Sequence, residues 1–181
     1  MNLRIHSIFR STEGEGVHIG VPQVFVRFQG CAVGCVNCDS LETWGFDSNN
    51  MSMIEVLNKI EDESSREFGK IKRVSITGGD PLHPKNEKAC LALVKELKSR
   101  GYFVNIEAAG TRVVSEIFDL LDFISFDFKT PSTQVKFAPK VFERFMKDYG
   151  SKSQVKAVIA DEADFRAYYE LYLKYPNFVN W

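Results

Sequence analysis

The feature of the sequence that most restricts its fold is a regular alternation of strand-like and helix-like segments. The strand-like segments are rich in β-branched and aromatic residues, and they cover 21–28, 73–76, 102–106, 123–128 and 154–160. The helix-like segments have apolar residues at helical spacing or a capping signal, and they cover 52–64, 86–100, 113–121 and about 162–174. Such alternation implies parallel strands joined by right-handed helical crossovers.

The alternation therefore predicts an α/β fold, a partial and open barrel of five or six parallel strands. A complete eight-unit barrel typically needs about 250 residues, and this chain has 181. We expect one domain over residues 1–181, with an N-terminal hairpin at 3–19 and the partial barrel at 21–181. Residues 177–181 are expected to begin a further strand.

Composition narrows the classes of partner. Lys and Arg number 23 and Asp and Glu number 24, so the formal net charge is −1. Without an excess of cations to neutralise phosphates, we expect no nucleic-acid partner. The sequence has no apolar stretch long enough to cross a bilayer, and its first residues lack the apolar centre of a signal peptide. We expect no membrane partner and a cytoplasmic location.

Three of the four cysteines are clustered in a loop that follows the first barrel strand. Cys31, Cys35 and Cys38 have the spacing C-x3-C-x2-C, whereas Cys90 lies far away on the apolar face of a predicted helix. In a reducing cytosol, clustered thiols more often bind metals or catalyse reactions than form disulfides. We expect Cys90 to be a core residue.

Three thiolates leave two kinds of metal site open. A structural zinc site and a four-iron cluster both have four ligand positions. Three cysteines can hold three irons of a cluster and leave the fourth iron for a non-protein ligand. Alternatively, Asn37, Asp39 or a histidine completes a zinc site. The spacing, together with the preceding strand, favours the cluster.

With this spacing after its first barrel strand, the chain resembles the radical S-adenosylmethionine (SAM) superfamily. The resemblance implies a 4Fe-4S cluster whose unique iron binds the amino and carboxylate groups of SAM. One electron from the cluster then splits SAM into methionine and a 5′-deoxyadenosyl radical. The segment I-T-G-G-D-P at 76–81 resembles the superfamily's G-G-E-P segment, which binds the methionyl end of SAM. Gly79 and Asp80 would make those contacts, with Asp80 in place of the usual Glu.

Further motifs resemble one family within the superfamily. They are S-T-E-G-E-G at 11–16, G-V-P at 20–22, F-V-R at 25–27 and C-D-S at 38–40. Together they are similar to the 7-carboxy-7-deazaguanine synthase family of deazapurine (queuosine and archaeosine) biosynthesis. The resemblance implies a lyase that contracts the ring of 6-carboxy-5,6,7,8-tetrahydropterin with loss of ammonia. It also implies Mg²⁺, regenerated SAM, an electron donor such as flavodoxin or ferredoxin, and a homodimer.

The resemblance assigns roles to residues of the first motifs. Arg27 would bind the substrate carboxylate, because a planar guanidinium can hold both oxygens at once. Glu15 would accept hydrogen bonds from pterin N–H groups, and Arg27 and Glu15 are the expected catalytic residues. The further substrate contacts implied are Thr12, Glu13, Gly14 and Thr77, with Glu13 standing where the family usually has Gln.

The remaining assignments concern the cofactors. Cys31, Cys35 and Cys38 would hold the cluster, and Ser40 would be a ligand of Mg²⁺. Glu107, which ends the third strand, is also expected to face the site. These positions follow strands, the edge that carries the active site in α/β barrels. Besides Gly79 and Asp80, the SAM contacts implied are Asn37, Cys38, Asp39, Asp127, Phe128 and Lys129.

Two other functions remain as alternatives. A glycyl-radical-enzyme activating enzyme would share the cysteines and the D-x-K pattern at 127–129, but it does not account for E-G-E-G, Arg27 and C-D-S. A zinc-binding module for protein or RNA contact would account for the cysteines alone, and it predicts a colourless protein.

Overall fold

The computed structural model describes residues 1–46, 50–66 and 69–181. In these residues the strands are β1 (Asn2–Thr12), β2 (Pro22–Phe28), β3 (Asn50–Ser52), β4 (Arg73–Gly78), β5 (Phe103–Ala108), β6 (Phe123–Asp127) and β7 (Ser153–Lys156). The helices are α1 (Met53–Ser65), α2 (Pro84–Ser99), α3 (Ser115–Phe118), α4 (Pro139–Tyr149) and α5 (Glu162–Lys174). The strands form one open sheet in the order β3-β1-β2-β4-β5-β6-β7.

The sheet is mostly parallel, as the alternation predicts. Strands β2, β4, β5, β6 and β7 run parallel to one another, and β1 is antiparallel to both β2 and β3. The N-terminal hairpin is present, but its bounds differ from those predicted. Its second arm is β2 and not a strand within residues 3–19, because Glu13 closes the connection by bonding Val21 O and Gly20 N at 2.8 Å each.

The helix signals have mixed outcomes. Ser52 and Glu55 form the predicted capping box at the start of α1, and Asp161 caps α5 by accepting from Asp164 N. The helix predicted over 113–121 is a single turn, α3. Helix α4 is not predicted from the sequence, although proline is common in the first turn of a helix and Pro139 occupies that position.

Each parallel strand presents one apolar and one polar face, since successive side chains point to opposite sides of a sheet. The apolar faces pack against the helices, with Val26, Ile76 and Ile106 fully buried. Cys90 lies in the same core, as predicted, and burial raises the pKa of its thiol. The polar faces contribute a buried layer that consists of Gln23, Ser75, Asn105, Ser125 and Gln154.

The same polar face carries site residues nearer the carboxyl end of each strand. They are Arg27 on β2 after Phe25, Thr77 on β4, Glu107 on β5, Asp127 on β6 and Lys156 on β7. Arg27 is in register with Thr77, and Asp127 with Lys156. Period-two alternation in parallel register therefore delivers polar side chains to one edge of the sheet.

The C-terminal residues do not form the strand that we expected at 177–181. They nevertheless bond to β7: Val155 N donates to Asn180 O at 2.9 Å, and Asn180 Nδ2 donates to Ser153 O at 2.9 Å. None of the helices in the described ranges is both long enough and apolar enough to cross a membrane.

Candidate functional site

A cavity of about 770 Å³ opens at the carboxyl ends of the parallel strands. Most of the residues that the motifs single out line this cavity, together with Glu107 and Lys156. The predicted residues that it brings together are Glu13, Gly14, Glu15, Arg27, Cys31, Cys35, Asn37, Cys38, Asp39, Ser40, Thr77, Gly79, Asp127, Phe128 and Lys129.

Two predicted site residues do not reach the wall of this cavity. Thr12 is exposed at the end of β1, where it pairs with Pro22. Asp80 is only 4% exposed, and its Oδ1 accepts from Leu82 N at 3.0 Å. Burial raises the pKa of the Asp80 carboxyl. The Asp80 side chain is engaged in the turn that precedes α2.

The cysteines lie on a loop of residues 29–46, which we call the cysteine loop. Backbone bonds close it on itself: Gly30 N donates to Thr43 O at 2.7 Å, and Cys31 N donates to Trp44 O at 3.1 Å. The Gln29 side chain ties the same ends together by donating to Gly45 O at 2.8 Å. The loop is held without regular secondary structure around the thiols.

The three thiols are free, half-buried and turned to the cavity. Burial raises the pKa of Cys31 and of Cys35, and for Cys35 the nearby Lys129 cation opposes that shift. Trp44 Nε1 donates to Cys38 Sγ at 3.3 Å. The Trp44 N–H group and the Lys129 cation act against burial, because they favour the thiolate form of Cys38 and of Cys35. The thiolate is the form that binds metal.

The arrangement of these thiols bears on the two metal sites left open by the sequence. A tetrahedral zinc ion has Zn–S bonds of about 2.3 Å, so its thiolates lie within about 4 Å of one another. Within residues 1–46, 50–66 and 69–181, no three Cys, His, Asp or Glu side chains are grouped to hold a single metal ion. In a four-iron cluster each cysteine binds a different iron. Three thiols that line one cavity are what such a cluster requires.

The cysteine loop touches the end of β4 at Gly79. A Cβ atom at this position would lie 2.7 Å from Gly30 O and 2.9 Å from Thr43 O, closer than side-chain atoms are found. Asp80 N also donates to Gly30 O at 2.9 Å. Glycine at position 79 therefore lets the backbone after β4 lie directly against the cysteine loop.

Arg27 supplies a cation to the same cavity. Its side chain is 29% exposed, and Nη1 lies 3.7 Å from Glu42 Oε1. The guanidinium carbon lies 5.7 Å from the centre of the Phe9 ring. Its Nε atom is buried and has no hydrogen-bond partner in the described part of the chain. Arg27 thus retains donors for an anionic group of a ligand.

Glu13 and Glu15 have different surroundings although they are two residues apart. The Glu13 side chain is buried, and its oxygens accept from Gly14 N at 2.9 Å and from Gln23 Nε2 at 2.7 Å. The Glu15 side chain is 64% exposed. Glu13 is therefore engaged in shaping the β1–β2 connection, and Glu15 presents its carboxylate to the cavity.

The cavity is also lined by a group of acidic and basic side chains that we call the charged wall: Glu15, Glu107, Asp127, Lys129 and Lys156. Lys156 Nζ lies 2.6 Å from Glu15 Oε2 and 2.6 Å from Glu107 Oε2. Its contact with Glu107 is an ion pair with a largely buried carboxylate. Lys129 Nζ donates to Asp127 Oδ2 at 2.7 Å. Lys156 is not among the site residues predicted from the sequence, although its position on the polar face at the end of β7 indicates that it faces the cavity.

The charged wall shifts the pKa values of its members. Burial raises the pKa of Glu107, and Lys156 partly opposes that shift. Burial disfavours the charged form of Lys156, but Glu107 and Asp127 outweigh this effect, so the pKa of Lys156 is raised. Lys156 therefore stays a cation, and its charge is the largest effect that favours the ionised form of Glu107.

Ser40 and Asp39 lie at the end of the cysteine loop that faces the cavity. Ser40 Oγ donates to Asp39 Oδ1 at 2.8 Å. Hydroxyl and carboxylate oxygens are the hard ligands that Mg²⁺ prefers. Asp39 and Ser40 directly follow Cys38 in the sequence.

Comparison with known proteins supports a site for an iron–sulfur cluster. The family model described as "4Fe-4S single cluster domain" matches residues 12–122. The 7-carboxy-7-deazaguanine synthase of Methanopyrus kandleri is 31% identical over 185 residues, covering 88% of this chain and 71% of the relative. The synthase of Escherichia coli K12 is 30% identical over 157 residues, covering 78% and 62%.

Not all relatives are covered so fully. The synthase of Aquifex aeolicus is 31% identical over 115 residues, which are 64% of this chain and 48% of the relative. The chain thus spans about half to two thirds of the length of the curated relatives that it matches first.

Solved structures support the fold. The crystal structure of QueE from Escherichia coli superimposes with a TM-score of 0.60 at 20% identity, covering 97% of this chain and 92% of that chain. Streptococcus suis SuiB superimposes with a TM-score of 0.53 at 13% identity, covering 81% and 35%. The open, mostly parallel sheet predicted from the sequence is therefore a known architecture.

Proposed function

The chain belongs to the 7-carboxy-7-deazaguanine synthase family, and from this premise we propose that it converts 6-carboxy-5,6,7,8-tetrahydropterin to 7-carboxy-7-deazaguanine with loss of ammonia. One observation carries the proposal: a single cavity is lined by three free thiols, by the Arg27 cation and by the charged wall. A cluster site, an anion site and a set of hydrogen-bond acceptors are what a reaction of this kind on a carboxylated pterin requires.

The thiols of Cys31, Cys35 and Cys38 would hold a 4Fe-4S cluster, with SAM as its further ligand. When bound, the cluster and SAM supply the one-electron chemistry that removes a hydrogen atom from the substrate. Gly79 would contribute to the SAM site, because it lines the cavity and its missing side chain lets the backbone after β4 lie against the cysteine loop. The further SAM contacts that we propose are Asn37, Asp39, Asp127, Phe128 and Lys129, which line the same cavity.

The substrate would be oriented by opposite charges on two sides of the cavity. Arg27 would bind its carboxylate, since a guanidinium offers paired N–H donors in one plane. Glu15 would accept from N–H groups of the pterin, because an ionised carboxylate offers only acceptors. Gly14 and Thr77, which line the cavity near these residues, would complete the substrate site.

Mg²⁺ would bind at Ser40, with Asp39 beside it and substrate oxygens as further ligands. A single hydroxyl binds Mg²⁺ weakly, because this ion keeps several waters and takes few protein ligands. Its binding would therefore depend on the substrate.

We propose a cytoplasmic homodimer that receives electrons from flavodoxin or ferredoxin. The exposed Val36 of the cysteine loop, which is 59% accessible, supports approach of a protein donor near the thiols. On α5, Phe165 and Leu173 are 56% and 57% exposed, which supports burial of this face against a second copy.

The proposal is tested by anaerobic reconstitution with iron and sulfide, followed by incubation with SAM, a reductant and the carboxypterin. The reconstituted protein should be brown with about four irons per chain, and mass spectrometry should detect 7-carboxy-7-deazaguanine. A reaction without SAM is the control. Cleavage of SAM without this product would contradict the substrate and revive the activating-enzyme alternative, and a colourless zinc protein would contradict the radical chemistry.

A further inference from the structure

The charged wall contains a connection that the family motifs do not include. Lys156, at the end of β7, lies 2.6 Å from a carboxylate oxygen of Glu15 and 2.6 Å from one of Glu107. Lys156 and Glu15 are 141 residues apart in sequence, and through Lys156 the β1–β2 connection is joined to the end of β5. Asp127 Oδ1 lies 4.0 Å from the same nitrogen.

Both short contacts involve one oxygen of each carboxylate. Lys156 Nζ meets Oε2 of Glu15 and Oε2 of Glu107, so Oε1 of each carboxylate remains to accept from a ligand in the cavity. Without the cation, Glu15 and Glu107 would stand side by side as like charges, which repel more strongly where water is partly excluded. The Glu107 side chain is only 16% exposed.

We propose that Lys156 is a positioning residue that holds Glu15 and Glu107 together as a two-carboxylate acceptor for the N–H-rich edge of the substrate ring. The inference rests on the proposed function and extends it, because it adds Glu107 as a substrate contact and Lys156 as its support. A substrate with adjacent N–H donors, such as a 2-amino-pyrimidinone ring, offers the complementary pattern. An analogue without those donors would leave the largely buried Glu107 acceptor without a ligand donor, and the site would bind it more weakly.

The arrangement has a pH signature. The charged and titratable groups that face Glu107 are Lys156 on β7, Asp127 on β6 and Glu13 and Glu15 on the β1–β2 connection, with Lys129 paired to Asp127. Among these groups Lys156 lowers the pKa of Glu107 and the carboxylates raise it. Removal of the cation should therefore raise that pKa further, so Glu107 becomes protonated at higher pH and loses its acceptor role.

The test compares Lys156→Met and Lys156→Arg with Lys140→Met, which removes an exposed lysine of α4. In the reconstituted enzyme, Lys156→Met should raise the KM for the carboxypterin about tenfold or more. Its iron content and its SAM affinity should stay at wild-type levels. Lys156→Arg should recover most of the affinity, and Lys140→Met should behave as wild type.

A second measurement does not depend on turnover. Carboxyl ¹³C NMR titration, with Glu107→Gln to assign the signal, should show a higher Glu107 pKa in Lys156→Met than in wild type. Glu107→Gln retains the size of the side chain, and it should also raise the KM for the carboxypterin. If either Lys156→Met or Glu107→Gln proves unstable, the other variant still tests the proposal.

The outcomes separate the two proposals. Wild-type KM in Lys156→Met, or an unchanged Glu107 titration, would overturn the positioning role while the proposed function stands. Equal loss of iron, SAM binding and substrate affinity in Lys156→Met would show a merely structural lysine. Absence of turnover in the reconstituted wild type would overturn the proposed function, and the substrate role of Lys156 with it.

Discussion

The two sides of the cavity are built in opposite ways. The cysteine loop is one continuous stretch of chain, closed on itself by backbone hydrogen bonds such as Gly30 N to Thr43 O. The charged wall is assembled from the β1–β2 connection and the ends of three strands, and ion pairs hold it together. Replacing one thiol therefore affects the cysteine loop alone, whereas replacing one charged residue of the wall also changes the surroundings of its ion-pair partners.

The largest effect is expected at the cysteine loop itself. Cys35→Ala should abolish the brown colour, iron binding and SAM cleavage, because three thiolates are the minimum set for a site-open cluster. Iron content and visible absorption after anaerobic reconstitution measure this. Cys90→Ala is the matched control, since Cys90 lies in the core away from the cavity. Full iron content in Cys35→Ala would show that another residue takes the ligand position.

The next effect concerns the packing that supports the charged wall. At Gly110, after β5, the φ angle is +78°, and a Cβ atom would lie 1.9 Å from Asp127 O. Gly110→Ala should lower the free energy of unfolding by about 2–5 kcal/mol, the sum of left-handed strain and overpacking. Urea denaturation measures it.

Gly101→Ala separates the two causes of that loss. Gly101 has a φ angle of +74°, and a Cβ atom added there would have no other atom of the described chain within 4 Å. Its replacement should lower the free energy of unfolding by only about 1–2 kcal/mol. Equal losses in both variants would show that contact with Asp127 contributes nothing.

A smaller effect is expected where the two sides cooperate on the substrate. Arg27→Lys keeps the charge but loses the paired N–H donors, so substrate binding should weaken by about 1.5–3 kcal/mol. Iron content should be unchanged, because Arg27 lies on β2 before the cysteine loop. Arg166→Lys, at an exposed i,i+4 pair on α5, is the control. Wild-type affinity in Arg27→Lys would contradict the assigned role.

The smallest effect is expected at Ser40. Turnover should rise with millimolar Mg²⁺, and Ser40→Ala should weaken the apparent Mg²⁺ affinity by about 0.5–1.5 kcal/mol, the value of one neutral polar contact. Turnover is measured against Mg²⁺ concentration, with SAM binding and iron content as internal controls that stay level. Superimposable curves would mean that Ser40 only bonds Asp39.

The same contrast explains how much could be predicted. The cysteine loop and the Ser52 cap are encoded by neighbouring residues, so spacing alone indicates them. The period of the strands predicts the parallel sheet, because buried faces repeat locally. Lys156 escapes such reasoning, since its partners are brought to it only by strand register.

Other differences come from turn chemistry. Asp80 follows the predicted strand, and its carboxylate accepts a local hydrogen bond from Leu82 N that the sequence pattern does not predict. Short polar side chains compete for nearby backbone N–H groups in this way. The hairpin bounds differ for a related reason, because residues 13–21 form a long connection whose contacts are not visible as a repeating pattern.

The contacts of Asn180 have a consequence for how this protein behaves at high concentration. An open sheet has two edges, and unpaired backbone groups on an edge strand can template pairing with another chain and lead to aggregation. At one edge, Asn180 occupies Val155 N and Ser153 O of β7 without forming a strand. At the other edge, β3 is only 3 residues long. The sheet can therefore stay open, with the cavity exposed at its strand ends, and still present few unpaired backbone groups for edge-to-edge pairing with another chain.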